Sequence, residues 1–215
     1  RVFNYEIQNQ HKNFSFLASN LNFNINLNNI DIYRDYSFLE EKHLDGKYIT
    51  IHLDEKWFTK YYYSDFTDIN PTSDQLDIFI NKILKTLNDK YNIVITTGLK
   101  NLDVLKDYTK NFDQVSQNKF LKKINQNKVI FIKNSSFNDL EAIIKNSSFL
   151  ICCEGGVSHV SHNMNIKTIA FFEKNRLQHT HFWTSHMENL TLFERKDMHK
   201  IINDNNFYEI ISSRI

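Results

Sequence analysis

The feature that most constrains this chain is a rhythm of short, apolar, β-branched runs separated by helical patterns. Lys47 to Leu53, Tyr91 to Thr97, Lys128 to Lys133, Phe149 to Cys153 and Lys167 to Phe172 each read as a strand, and Leu190 to Phe193 as a sixth. Between them lie helical stretches. Ser73-Asp74 caps a helix running to about Lys90, with Leu76, Ile80, Ile83, Leu84 and Leu87 on one face. Asn101 to Lys110 is a short helix, Ser136 caps another through Leu140, Ile143 and Ile144, and Asp197 opens a closing one. Glu173 to Glu188 reads as a polar, aromatic loop. Strands that are apolar on both faces and alternate with helices imply a parallel sheet covered on both sides. The fold class is therefore α/β, a Rossmann-like parallel sheet with helices on both faces.

Such sheets bind ligands beyond the carboxyl ends of their strands. The residues predicted there are Asp54 to Trp57, Thr97-Gly98, Asn134-Ser135, Glu154 to Gly156 and Glu173-Lys174. One of these corners stands out. The run Phe149 to Cys153 breaks at Glu154-Gly155-Gly156 and resumes as a helix start, Val157-Ser158-His159. Glycine lets a ligand approach the backbone closely. The first N–H groups of a helix have no partner within it and attract anions. The whole chain has four glycines, and its ordinary turns use Asn, Asp and Ser. Two adjacent glycines in such a chain point to bare backbone at an anion site. A plain strand-to-helix turn is the alternative.

Composition narrows the rest. The 215 residues suffice for one good core. The net charge of +1 gives no electrostatic footprint for nucleic acid. No apolar run reaches the roughly 18 residues of a membrane-spanning helix. Cys152 and Cys153 are adjacent on a predicted strand, so they face opposite ways; they read as buried free thiols in a reducing compartment. Residues 1–47, with a helix pattern at 14–21, an alternating stretch at 23–27 and a polar connection after it, read as the remnant of an upstream domain plus a linker. Residues 48–215 read as the ligand-binding domain. His179, His181 and His186 invite a metal reading, but no acidic or Cys partner has matching spacing. Phe182 and Trp183 in the same stretch suit packing on the domain edge or covering a nucleotide base. Tyr61-Tyr62-Tyr63 reads as a domain edge or interdomain face.

Together these residues resemble the C-terminal, donor-binding domain of glycosyltransferase family 9, the ADP-heptose:lipopolysaccharide heptosyltransferases and their relatives. The resemblance rests on Glu154-Gly155-Gly156-Val157-Ser158-His159 after the fourth strand, on His52 followed by Lys56-Trp57 after the first, and on Asp139 to Ile144. It covers roughly residues 47–195. Glu154 stands where the family usually has Asp, and Lys167 and Glu173 stand where it often has Pro and Gly, which leaves the donor's base and sugar open.

The resemblance implies the C-terminal half of a GT-B fold and metal-independent, inverting sugar transfer. The donor would be a nucleotide-diphosphate sugar, carrying heptose or another sugar, and the acceptor a glycan or lipid-linked hydroxyl. No further cofactor is implied. Lys56 would contact the diphosphate. Gly155, Gly156, Val157 and the amides leading into Ser158 would cradle it. His159 would reach a phosphate or the departing sugar, and Glu154 would fix the turn and the sugar or ribose hydroxyls. The catalytic base would lie in an N-terminal domain. The protein would be cytoplasmic, with room for peripheral association at the inner face of a membrane. A non-catalytic nucleotide- or protein-binding module on the same scaffold is the second reading.

Overall fold

The computed structural model describes residues 44, 46–58, 61–63 and 65–214. The expected helix at 14–21, the strand at 23–27 and the upstream remnant lie outside the described residues.

The core is an eight-stranded sheet. Its strands are β1 (Tyr48–Leu53), β2 (Asn92–Thr97), β3 (Asp113–Ser116), β4 (Lys119–Ile124), β5 (Asn127–Ile132), β6 (Leu150–Cys153), β7 (Thr168–Phe172) and β8 (Leu190–Glu194). Their order is β3-β4-β5-β2-β1-β6-β7-β8. The six strands read from sequence run parallel, from β5 through β2, β1, β6 and β7 to β8. The sheet is nevertheless mixed. β3 and β4 form a hairpin that continues antiparallel onto β5. That hairpin carries Lys119, Lys122 and Lys123 and none of β3 is buried, so it lacks the apolar signature of the inner strands.

The helices are α1 (Ser73–Thr86), α2 (Asp103–Tyr108), α3 (Phe137–Lys145), α4 (Gly156–Asn163), α5 (Leu177–Thr184), α6 (Met198–Ile202) and α7 (Asn205–Arg214). Thr72, not Ser73 or Asp74, caps α1: its hydroxyl accepts from Gln75 N–H at 3.2 Å while Gln75 Oε1 accepts from Thr72 N–H at 3.0 Å. This reciprocal pair satisfies two donors at once. Ser136 caps α3 in the same way through Asp139.

Each inner strand buries both faces. Ile49, Ile51 and Leu53 of β1 join a large cluster with Phe131, Phe171 and the apolar faces of α1, α2, α6 and α7. On the other face, Leu150, Cys152 and Ala170 meet Leu140, Ile144 and Val160 from α3 and α4, while Tyr48, Val94 and Ile130 meet Ile143. Cys152 and Cys153 fall in opposite clusters, both as free thiols. Strand order reverses at β1: the chain moves to β2 on one side and later returns to β6 on the other. A parallel sheet of this kind opens its ligand crevice at that switch point, beyond the carboxyl ends of β1 and β6. Among the described residues no helix is long and apolar enough to cross a membrane.

Candidate functional site

β1 ends at Leu53, and Asp54 caps the single 3-10 turn Glu55–Trp57, accepting from Lys56 N–H at 3.1 Å. Trp57 anchors that turn. Its ring is fully buried, meets Phe171 edge-on at 5.2 Å and donates its N–H to His52 O at 2.9 Å. The turn thereby swings Lys56 back across the switch point to the end of β6. There its ammonium donates to Glu154 O at 2.8 Å.

The glycine pair divides its work. Gly155 sits at φ +151°, a region side chains rarely adopt, and a Cβ built on it would overlap Lys56 Nζ. The missing side chain is therefore the seat of the lysine. Gly156 faces open space. It begins α4, whose first turn is closed by Ser158: the fully buried hydroxyl donates to Gly155 O at 2.7 Å and accepts from Gly155 N–H at 3.3 Å. The N–H of Ser158 also goes to Gly155 O, at 3.0 Å. Ser158 is thus spent on shaping the turn. The N–H groups of Gly156 and Val157 lie in the first helical turn, where the helix itself supplies no acceptor. His159 stands half-buried beside them, its ring 6.2 Å from that of His186.

These residues open onto a cavity of about 270 Å³. Lys56, Glu154, Gly155, Gly156 and His159 line one end of it. The structure brings these five together; Val157 and Ser158 stand behind them in the turn. The other end runs past β7 and β8 to α5, where Glu173, Arg176, His179 and Trp183 stand. The predicted loop Glu173 to Glu188 is in large part this helix, preceded by a 3-10 turn at Lys174–Arg176. On a helix His179 and His181 point in different directions. Among the described residues no group of three His, Cys, Asp or Glu side chains could hold a metal ion. Tyr62 also faces the cavity, stacked on Phe66 at 5.2 Å.

Phe66, Thr67 and Arg195 escaped the sequence reading, and Arg195 does most to shape the site. Arg195, just beyond β8, is 5% exposed. It donates to Thr67 O at 2.9 Å, to Cys153 Sγ at 3.2 Å and to Lys56 O. Its Nε lies 3.9 Å from Glu173 Oε2. Glu173 is itself buried and accepts from Thr67 N–H at 2.5 Å and Thr67 Oγ1 at 3.2 Å. This buried pair ties the ends of β1, β6, β7 and β8 into one floor. Position just past a parallel strand was the signal that could have found it.

The electrostatics follow from burial. Desolvation lowers His52 to about 4, helped by Lys56, so it is neutral at pH 7, with Nδ1 2.9 Å from Thr96 Oγ1. Desolvation raises Asp54 to about 6, against the pull of Lys56. Desolvation acts against the Lys56 ammonium, but Asp54 and weaker neighbours outweigh it and hold its pKa above the ordinary value. Lys56 is a fixed cation. Desolvation pushes the Cys153 thiol up to about 12, so it stays protonated beneath Arg195.

No family model matches the sequence, and no curated protein matches it. Solved structures do. The heptosyltransferase WaaC of E. coli, solved with ADP-2-deoxy-2-fluoro heptose, has a TM-score of 0.53 at 11% identity, over 98% of this chain and 58% of that one. The E. coli ADP-heptose lps heptosyltransferase II follows at 0.43 and 8%, over 96% and 54%. The UDP-GlcNAc 2-epimerase of Methanocaldococcus jannaschii, solved with UDP-GlcNAc and UDP, gives 0.47 and 12%, over 80% and 41%. The likeness to WaaC is one of fold. The chain has a glycosyltransferase-like, GT-B-type fold and spans about half the length of the structures it matches.

Proposed function

We propose that this chain is the donor-binding half of a sugar-nucleotide glycosyltransferase of the family 9 kind. It would hold a nucleotide-diphosphate sugar, heptose among the candidates, for inverting, metal-independent transfer to a glycan or lipopolysaccharide acceptor. No cofactor beyond the donor substrate takes part. The reaction would run in the cytoplasm, with peripheral association at the inner membrane face.

One observation carries this reading. A fixed lysine cation and the first amides of α4 converge on a single open corner at the switch point of a parallel sheet. A diphosphate leaving group develops negative charge as its bond to the sugar breaks. Fixed donors aimed at that charge stabilise the transition state without reorganising. Lys56 supplies a full charge, and the amides of Gly156 and Val157 supply oriented dipoles. His159 adds an imidazole at the same corner.

The test is calorimetry with ADP, UDP and GDP on the parent and on Lys56→Ala. A hydrogen bond to a charged group is worth about 1.5–3 kcal/mol, so the variant should lose at least about tenfold in affinity. The loss should spare the corresponding nucleosides and shrink in high salt. Equal losses for nucleoside and diphosphate would move Lys56 from phosphate to base or fold. A parent that binds none of the three would sink the diphosphate assignment.

A further inference from the structure

Past the lysine and the glycine turn the cavity has a second half, toward α5, that a diphosphate does not fill. We propose that this half seats the donor's sugar ring, with Trp183 as its flat wall and Glu173 and His179 as partners for hydroxyl groups. The proposal rests on the diphosphate reading above and names what lies next to the diphosphate.

Direction is the first argument. The crevice is centred between β1 and β6, and the two ends of a nucleotide sugar must leave the diphosphate on opposite sides. The cavity runs toward β7, β8 and α5, away from β2 and β5. Size is the second. At about 270 Å³ it falls just below the roughly 300–1,000 Å³ of sites that hold drug-sized ligands. A diphosphate and one ring suit that space; a whole nucleotide sugar does not.

Chemistry separates a sugar from a base. A base is held by stacking on an aromatic face, and the faces of Phe66 on this side are already in use. Phe66 carries Tyr62 stacked at 5.2 Å, with the Arg176 guanidinium 4.6 Å and that of Arg195 5.5 Å from its ring centre. Trp183 instead offers a single wall. Phe182 meets it edge-on at 5.1 Å, and its N–H donates to His179 Nε2 at 3.2 Å, which pins the ring. One flat apolar wall suits the C–H face of a pyranose. The pinned His179 carries its proton on Nδ1, a donor. Glu173 is held in place by Thr67 and Arg195, and its oxygens keep lone pairs beyond those bonds. A polyhydroxylated ring needs acceptor and donor side by side.

The experiment titrates the full chain with ADP, UDP and GDP and with the matching ADP-glucose, UDP-glucose and GDP-glucose. For the sugar esters Trp183→Ala should lose about fivefold to tenfold, while the parent diphosphates change by less than about twofold, and Trp183→Phe should recover most of the loss. Thermal unfolding of each variant checks that the domain is intact. Tryptophan emission gives a second readout, because the chain has two tryptophans and Trp57 is fully buried in the core. Sugar esters should shift emission in the parent but not in Trp183→Phe. Equal losses for diphosphate and ester would assign Trp183 to the base or the fold and overturn the proposal. Unchanged affinity for both would show that no donor sugar enters this half. Failure of the parent to bind any diphosphate is a different result, and it would remove the underlying reading instead.

Discussion

Gly155 and Gly156 are neighbours with opposite duties, and substitution should separate them. Alanine at Gly155 meets two obstacles: a backbone at φ +151° and the ammonium of Lys56. A strained φ alone costs on the order of 1–3 kcal/mol. Gly155→Ala should therefore lose stability and nucleoside-diphosphate affinity together. Combined with Lys56→Ala it should lose little further affinity, because the lysine is already displaced. Alanine at Gly156 meets nothing within 4 Å. Gly156→Ala should keep its melting temperature yet lose affinity, since the methyl group enters the anion corner. Melting curves and calorimetry on the two single variants decide; a stable, binding-competent Gly155→Ala would refute the lysine seat. The end of β1 and the 3-10 turn that carries Lys56 also make stability depend on pH. Asp54 is raised to about 6, against about 3.9 unfolded, so its contribution is full at low pH and is lost as pH rises through about 6. His52 is lowered to about 4, against about 6.5 unfolded, so its contribution is full above about 6.5 and is lost as pH falls through about 4. Between those limits the two largely cancel. Asp54→Asn keeps the capping oxygen and removes one of them. It should gain about 1–3 kcal/mol at pH 7 and then lose stability more steeply than the parent on going to pH 4. Urea unfolding at pH 7, 5.5 and 4 measures this, and parallel pH profiles would refute it.

Among the elements, β8 closes one edge of the sheet, and its larger contribution is to deliver Arg195 to the floor of the crevice. Arg195 bonds to backbone or sulfur at Thr67, Cys153 and Lys56 and pairs with Glu173. Removing one partner of a buried ion pair leaves the other uncompensated, at about 3–5 kcal/mol. Arg195→Met should cost that much in urea unfolding, and Arg195→Met with Glu173→Gln should cost less than Arg195→Met alone. If the double variant is the less stable, the pair is not what the arginine is for. These contacts also show what was readable. β1, β2, β5, β6 and β7 match the expected strands to within a residue or so, because burial on both faces writes a continuous apolar run. The β3–β4 hairpin was not readable, since an exposed lysine-bearing edge carries no such run. Nor was α5: Leu177-Gln-His-Thr-His-Phe-Trp-Thr184 is rich in residues of middling helix propensity and lacks an apolar stripe. The glycine turn between β6 and α4 could be read because glycine is scarce here. Arg195 offered only its position just past β8, because a charged residue shows its value only when a fold buries it.

At the scale of the whole molecule, the proposed sugar transfer requires more than the described crevice supplies. A base must take the acceptor's proton, and a wall must hold the acceptor in line. The carboxylates nearest the crevice are otherwise engaged. Glu173 is buried against Thr67 and Arg195, and Asp54 caps the turn that carries Lys56. Glu154 and His159 line the corner of Lys56 and the glycine turn, which the proposal gives to the donor. The chain covers 58% of WaaC, and the described residues form a single Rossmann-like sheet. The 215-residue chain should therefore bind a nucleoside diphosphate and its sugar ester and yet transfer no sugar. An assay for released nucleoside diphosphate checks this, using purified chain, ADP-, UDP- and GDP-sugars, and glycan acceptors. Release should be no faster with acceptor than without it. Acceptor-dependent turnover would mean that the described crevice holds its own base. Glu154→Gln and His159→Gln would then identify it: the base's variant would abolish turnover while still binding the diphosphate.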